Sequence, residues 1–226
     1  MQTRGGVLVE GVRFKYPAAE FELSVPALEL KPGELVACIG TSGTGKSTLL
    51  SLLAGILQPD SGRIEFAGQD LGSITEEARR KLRLSEIGLV FQEFELLDHL
   101  SVRENILLPY LISSALVLSD EVKERMLTLA SSAGIDALLE RNPRELSMGE
   151  RQRVAICRAL ITRPSVILAD EPTGNLDPTT SQRVLELLLT EIRASGASLV
   201  MVTHDYSLLD SLDRVVDLAE LTGAPA

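Results

Sequence analysis

The stretch Gly40-Thr41-Ser42-Gly43-Thr44-Gly45-Lys46-Ser47 sets three glycines, a lysine and a hydroxyl at the spacing of a phosphate-binding loop. Glycines permit backbone conformations that turn successive N–H groups inward on an anion, and a helix beginning at the end of the loop adds the positive end of its dipole. Lys46 then reaches the β and γ phosphates of a nucleotide, Ser47 holds magnesium, and Thr48 extends the cradle into the helix. A Gly-rich turn ahead of an ordinary helix is the plainer alternative. The full pattern, with an apolar run before it and a helical one after it, argues against that.

Val166-Ile167-Leu168-Ala169-Asp170-Glu171 is the second cluster, four apolar residues followed by two acids. A strand of this kind is buried along its length and presents both carboxylates at its C-terminal end, where ligands gather in open α/β sheets. Asp170 can orient magnesium, directly or through water, and Glu171 can polarise an attacking water as a general base. Phosphate loops also serve kinases and GTPases, so the two clusters imply nucleotide chemistry without naming its kind. The third candidate is Leu146-Ser147-Met148-Gly149-Glu150-Arg151-Gln152-Arg153, although Ser147-x-x-Glu150 also has the form of a helix capping box.

The surrounding pattern supplies elements to hold these groups. Residues 7–30 alternate as short strands with a turn at Tyr16-Pro17 and predict a small antiparallel sheet. Lys31-Pro32-Gly33-Glu34 is a turn, residues 35–39 form a continuously apolar strand, and a helix is expected from Lys46 to about Ile56. A turn at Pro59-Asp60-Ser61-Gly62 leads into a strand at 63–66; residues 75–84 read as helix and 87–90 as strand. Residues 93–145 form a helical insertion, with a capping box at Ser101-Val102-Arg103-Glu104 and Val122, Met126, Leu129, Ala130 and Ala133 on one helical face. Helices at 154–161 and 184–192 then alternate with strands at 166–169 and 198–202. The expected fold is α/β with a mostly parallel sheet, in a single domain spanning 1–226 whose last residues, 221–226, are loose.

Composition narrows the function classes. With 226 residues and 45% apolar content the chain can bury a sizeable core unaided. A net charge of −10 opposes unaided attachment to nucleic acid or to an anionic lipid surface and favours a protein partner. Cys38 and Cys157 lie in apolar segments without metal-ligand spacing, as packing residues of a protein in a reducing cytoplasm do. The first ten residues lack the apolar core of a signal peptide, and no run reaches the roughly 20 apolar residues that cross a bilayer. The nearest, residues 106–118, is short and carries Pro109, which fits a core or groove-lining helix. Direct membrane insertion is not expected.

The three clusters, with four further elements in a fixed order, resemble the ABC ATPases. Ser147 to Arg153 is similar to that family's signature, Gln92 in Val90-Phe91-Gln92 to its glutamine loop, Gly174-Asn175-Leu176-Asp177 to its aspartate loop, and His204 in Val202-Thr203-His204-Asp205 to its switch histidine. Tyr16 in Phe14-Lys15-Tyr16-Pro17 resembles the aromatic that stacks on adenine. The resemblance runs from Tyr16 to the strand after His204. It implies a nucleotide-binding core with an antiparallel β subdomain and a helical insertion. It also implies ATP hydrolysis with magnesium at Ser47, Gln92 and Asp170, and a γ-phosphate contact at His204. In that family two subunits pair head to tail, so Ser147 and Gly149 are expected to act on the ATP held by a second copy. Met148 departs from the pattern, which usually has glycine there; the expectation is a residue short of glycine's freedom at positive φ.

Glu171-Pro172-Thr173-Gly174-Asn175-Leu176-Asp177 looks like the form found in the MacB, LolD and FtsE group of the family. What that implies is an ATPase homodimer bound peripherally to the inner face of the cell membrane through a permease. Phe94, Leu96, Leu97, Leu100 and the helix at 102–111 would then line the groove that takes a segment of that permease. The alternative within the group is an FtsE-like ATPase that moves a membrane partner in cell-wall remodelling rather than transport. A soluble ABC protein of ribosomes or DNA would be expected to carry two cassettes or a long coiled coil.

Overall fold

The computed structural model describes residues 5–17, 21–41, 43–174 and 176–222. Strands β1 (Val7–Lys15) and β2 (Glu22–Leu30) pair antiparallel, and β1 also pairs antiparallel with β4 (Ser61–Phe66), which carries the two-residue strand β5 (Gln69–Asp70) at its edge. A second sheet is wholly parallel, in the order β6 (Ile87–Val90), β7 (Val166–Asp170), β8 (Ser198–Val202), β3 (Leu35–Ile39), β9 (Arg214–Asp217).

Side chains alternate across a strand, so each central strand of the parallel sheet feeds two cores. Leu35, Ile167, Ala169, Leu199 and Met201 face one cluster, which they share with α3 (Val102–Ile112), α4 (Asp120–Ser132), α5 (Met148–Leu160) and α6 (Pro178–Ser195). Val36, Cys38, Val166, Leu168, Val200 and Val202 face the other, shared with α1 (Lys46–Leu53) and the antiparallel sheet. Burial on both faces is why these strands read as unbroken apolar runs. Cys38 and Cys157 are both buried, and burial pushes each thiol up to about 12, which makes them inert packing groups.

Helix ends differ from expectation where a local signal competes with periodicity. Helix α1 stops at Leu53 instead of Ile56, because Gly55 takes φ 62° and its N–H closes on Leu52 O while Ile56 N–H returns to Ser51 O. Helix α2 (Glu76–Glu86), capped by Thr75, runs two residues beyond Leu84. Helix α6 extends well past residues 184–192 on both sides, since the Asp177 carboxylate accepts from the N–H groups of Thr179 and Thr180 and Gly196 ends it at φ 69°. Helix α5 begins at Met148, not near Val154. Leu221 and Thr222, expected loose, close helix α7 (Leu218–Thr222); the remaining four residues lie outside the described ones.

Between β6 and β7 the chain forms α3, α4, two short 3-10 turns at Asp136–Leu138 and Pro143–Glu145, and then α5. The segment 91–101 is not helical. It is held by Asn105, fully buried on α3, whose amide accepts from Leu97 N–H and donates to the carbonyls of Leu97, Leu100 and Ser101. No helix among the described residues is long and apolar enough to cross a membrane.

Candidate active site

Strands β6, β7, β8 and β3 lie side by side and point the same way, so the groups that follow them emerge in a row along one edge. Gln92 follows β6, Asp170 ends β7 and Glu171 follows it, His204 follows β8, and the phosphate loop follows β3. A cleft of about 290 Å³ is lined by Gly43, Gly45, Lys46, Ser47, Thr48, Gln92, Asp170, Glu171 and Phe21. Eight of those nine were candidates from the sequence. Phe21 was not.

The loop is shaped by its glycines. Gly45 is the N-cap of α1 at φ 93°, and a Cβ there would meet Phe21 Cζ at 2.6 Å and Leu23 Cδ1 at 2.9 Å, so only glycine fits. No side chain caps α1 and no acid sits in its first turn, which leaves the first N–H groups directed to the cleft. Thr44 braces the loop by donating from Oγ1 to Thr41 O at 2.9 Å. The Lys46 ammonium lies across the loop, donating to Gly40 O at 2.8 Å and Thr41 O at 3.0 Å. Ser42 and Asn175 lie outside the described residues.

Glu171 is bent out of β7 in the left-handed region, at φ 45°. A non-glycine residue rarely adopts this conformation, which costs about 1–2 kcal/mol and persists where surrounding bonds demand it. Its N–H donates to Val202 O at 2.9 Å and its carbonyl accepts from Gly174 N–H at 3.1 Å, so both sides of the kink are fixed. The kink aims a mostly buried carboxylate at the cleft, where Oε2 is in contact with His204 Nδ1. An imidazole so placed orients the carboxylate, as a base in a water-activating site requires.

Ser47, Gln92 and Asp170 share the cleft, and their hydroxyl, amide and carboxylate oxygens are the hard donors that magnesium takes together with phosphate oxygens. Tyr16 packs its ring edge against Phe14 with centroids 4.8 Å apart, and its hydroxyl shares a 3.3 Å hydrogen bond with Thr48 Oγ1. At 38% exposure it keeps surface for a stacking base above the loop. Phe21 carried no motif. Its place depends on the return of β2 against the loop, which no local pattern announces.

Ser147 and Gly149 do not line this cleft. Ser147 is the N-cap of α5 in a complete capping box: its Oγ bonds Glu150 N and Oε2, and Glu150 Oε2 accepts from Ser147 N–H at 2.8 Å. The same bonds hold the Glu150 carboxyl below the usual range. The residues that resemble the family signature therefore form the cap of α5. Gly149 is buried against α6, where a Cβ would meet Thr180 Cγ2 at 2.6 Å. Asp177, from the aspartate loop, serves here as the cap of α6.

Met148 corrects an expectation. It is the first residue of α5 and not among the positive-φ residues, so methionine strains nothing in the backbone. What differs from glycine is a side chain 48% exposed beside Ser147. Met148→Gly is expected to keep the ATPase rate within about threefold of wild type, or raise it, and to lower the melting temperature slightly because glycine weakens a helix by up to ~1 kcal/mol. A tenfold or greater loss in a phosphate-release assay would show that the methionine side chain is required.

Comparison with known proteins agrees with this geometry. Residues 23–174 match the family model described as ABC transporter. The lipoprotein-releasing system ATP-binding protein LolD of Pseudomonas fluorescens is 44% identical over 204 residues, covering 90% of this chain and 89% of that protein. The macrolide export ATP-binding/permease protein MacB of Syntrophobacter fumaroxidans is 39% identical over 215 residues, covering 94% of this chain and 30% of that longer protein. The dimeric, post-hydrolysis ATP-binding cassette MJ0796 bound to ADP and phosphate superposes with a TM-score of 0.84 at 32% identity over 93% of both chains. The chain thus belongs to the ABC transporter family, as an ATP-binding and ATP-hydrolysing subunit.

Proposed function

We propose that this ATPase works as a homodimer on the cytoplasmic face of the cell membrane, driving an integral permease of the export or lipoprotein-release type. The observation that carries the reading is the division of the site. Lys46, Ser47, Gln92, Asp170, Glu171 and His204 converge within one chain, while Ser147 lies exposed outside their cleft at the tip of α5. Two head-to-tail copies would bring each Ser147 to the triphosphate held by the other, with the α5 N-terminus directed at the γ-phosphate.

In the mechanism that follows, the backbone N–H groups of Gly43 and Gly45 and the Lys46 ammonium bind the β and γ phosphates, and Tyr16 stacks on the base. Ser47, Asp170 and Gln92 would hold magnesium, which spreads the charge of the triphosphate oxygens. Glu171 accepts a proton from the attacking water at its carboxylate, and His204 keeps that carboxylate aimed and contacts the γ-phosphate. ATP bridges the two copies. Cleavage of its γ-phosphate removes the bridge and lets them part, and the permease converts this opening and closing into transport.

A permease partner is supported by three features. One relative carries a matching segment within a chain named as both ATP-binding and permease protein. The net charge of −10 disfavours an anionic surface as the direct partner. A third feature is an apolar groove of about 230 Å³ beside the Gln92 loop, lined among others by Leu84, Leu89, Phe91, Leu108, Pro109 and Ile112. It lies between α2, α3 and α5, and thus differs from the expected lining, in which Phe94, Leu96, Leu97 and Leu100 took part. A Glu171→Gln variant purified from membranes with ATP is expected to bring down one integral membrane protein in stoichiometric amount; recovery of the ATPase alone under those conditions contradicts the reading.

A further inference from the structure

Several arginines in this fold donate to backbone carbonyls, and Arg158 stands out among them because the two carbonyls it takes belong to consecutive left-handed residues. Arg83 bonds Ala54 O and Gly55 O at the end of α1, and Arg125 bonds Leu160 O and Ile161 O at the end of α5. Both complete helix C-termini, an ordinary use of a cation. Arg158 on α5 bonds no helix end. Its guanidinium donates to Glu95 O at 2.5 Å and Phe94 O at 2.6 Å.

Phe94 and Glu95 are consecutive non-glycine residues in the left-handed region, at φ 64° and φ 48°. They directly follow the tight turn that holds Gln92, closed by Phe94 N–H on Phe91 O. Two such residues in series cost about 1–2 kcal/mol each, so the loop needs an external hold to keep this path. Arg158 supplies it while 9% exposed, with burial pushing its guanidinium down to about 10, still charged at neutral pH. A buried charge held by carbonyls is expensive unless its position is fixed by what it holds.

We propose that Arg158 is a positioning residue for ATP hydrolysis, a latch that fixes the Gln92 loop to the signature helix α5. Arg158, Glu95 and Phe91 also form part of the apolar groove. The latch therefore ties three things together: Gln92 in the cleft, the helix whose tip carries Ser147, and the surface offered to the permease. A segment pressing into the groove touches the latch itself. This inference rests on Gln92 acting at the ATP site, as proposed above.

The test is a double-mutant cycle on the full chain, read as ATP turnover and as the magnesium concentration for half-maximal rate. Arg158→Lys keeps the charge but not the fork that spans two carbonyls. It is expected to lower kcat by roughly 10- to 100-fold and raise the magnesium requirement, with KM for ATP at saturating magnesium little changed. In a Gln92→Ala background the same substitution should cost nothing further, because the latch acts only through the residue already removed. Arg158→Gln should exceed Arg158→Lys; if it does not fold, Arg158→Lys alone carries the cycle. Equal losses in both backgrounds, or a lower melting temperature with unchanged turnover per folded molecule, overturn the latch. Should Gln92→Ala itself leave turnover and magnesium dependence intact, the assignment of Gln92 fails instead, and the latch with it.

Discussion

Replacing Glu171 by glutamine is expected to slow ATP hydrolysis by about 100- to 10,000-fold while leaving ATP binding intact, the range that loss of a positioned general base produces. The exchange keeps size and the contact with His204 but removes the group that accepts the proton of the attacking water. The conformation favours a selective effect. Glu171 holds its left-handed kink through backbone bonds to Val202 and Gly174, which glutamine retains, so the melting temperature should stay close to wild type. With cleavage blocked, ATP remains as the bridge between copies, and the variant should elute as a dimer in ATP and as a monomer after ATP is removed. Phosphate release and size-exclusion chromatography measure both. Hydrolysis at the wild-type rate would place the base elsewhere.

Lys46→Ala should abolish both nucleotide binding and turnover. The ammonium is the one basic side chain among the described residues lining the cleft, and a charge-assisted contact with phosphate has no substitute from alanine. A fall in ATP affinity of at least about 100-fold, by fluorescent nucleotide titration, is the expected result. Ser147→Ala should behave differently. Removal of the cap destabilises α5 by about 1 kcal/mol, but affinity of a single copy for ATP should hold, because Ser147 lies outside its own cleft. Turnover should fall nonetheless, since the second copy can no longer clasp the γ-phosphate.

The parts of this account legible in the sequence share a physical origin. Residues 35–39, 166–169 and 198–202 could be read as strands because a sheet covered on both faces leaves no polar alternation to confuse the pattern. The phosphate loop and the acids after β7 were legible because their chemistry depends on close spacing along the chain. Boundaries were less so. Helix α5 is read near Val154 because Arg151, Gln152 and Arg153 mask its apolar face, although the Ser147–Glu150 pattern that resembles the signature also has the capping-box form that starts the helix. Gly55, which stops α1 early, was a visible signal outweighed by the apolar Ile56.

Of the residues missed, Phe21 and Arg158 act on partners distant in sequence, and Asn105 acts within its own loop. Phe21 closes on Gly45, Asn105 ties the segment 97–101, and Arg158 reaches Phe94 and Glu95, each a lone side chain bonded to or packed on backbone. Nothing in spacing or composition announces a bond to a carbonyl sixty residues away. Met148 was misjudged for a related reason. A glycine in a motif invites an argument from backbone freedom, whereas the fold uses that position as an ordinary first residue of a helix.

The central claim is that each ATP site is assembled from two chains, and mixing two inactive variants tests it most directly. Lys46→Ala lacks a cleft and Ser147→Ala lacks a clasp, so neither homodimer contains a whole site. In a mixed dimer the Ser147→Ala copy supplies Lys46 and the Lys46→Ala copy supplies Ser147, which makes one site complete. Turnover should return on mixing to roughly a quarter of wild type, since half of randomly formed dimers are mixed and each has one whole site of two. If the mixture stays at the average of its two inactive components while wild-type chain under the same conditions hydrolyses ATP, the site lies within a single chain and the account is wrong.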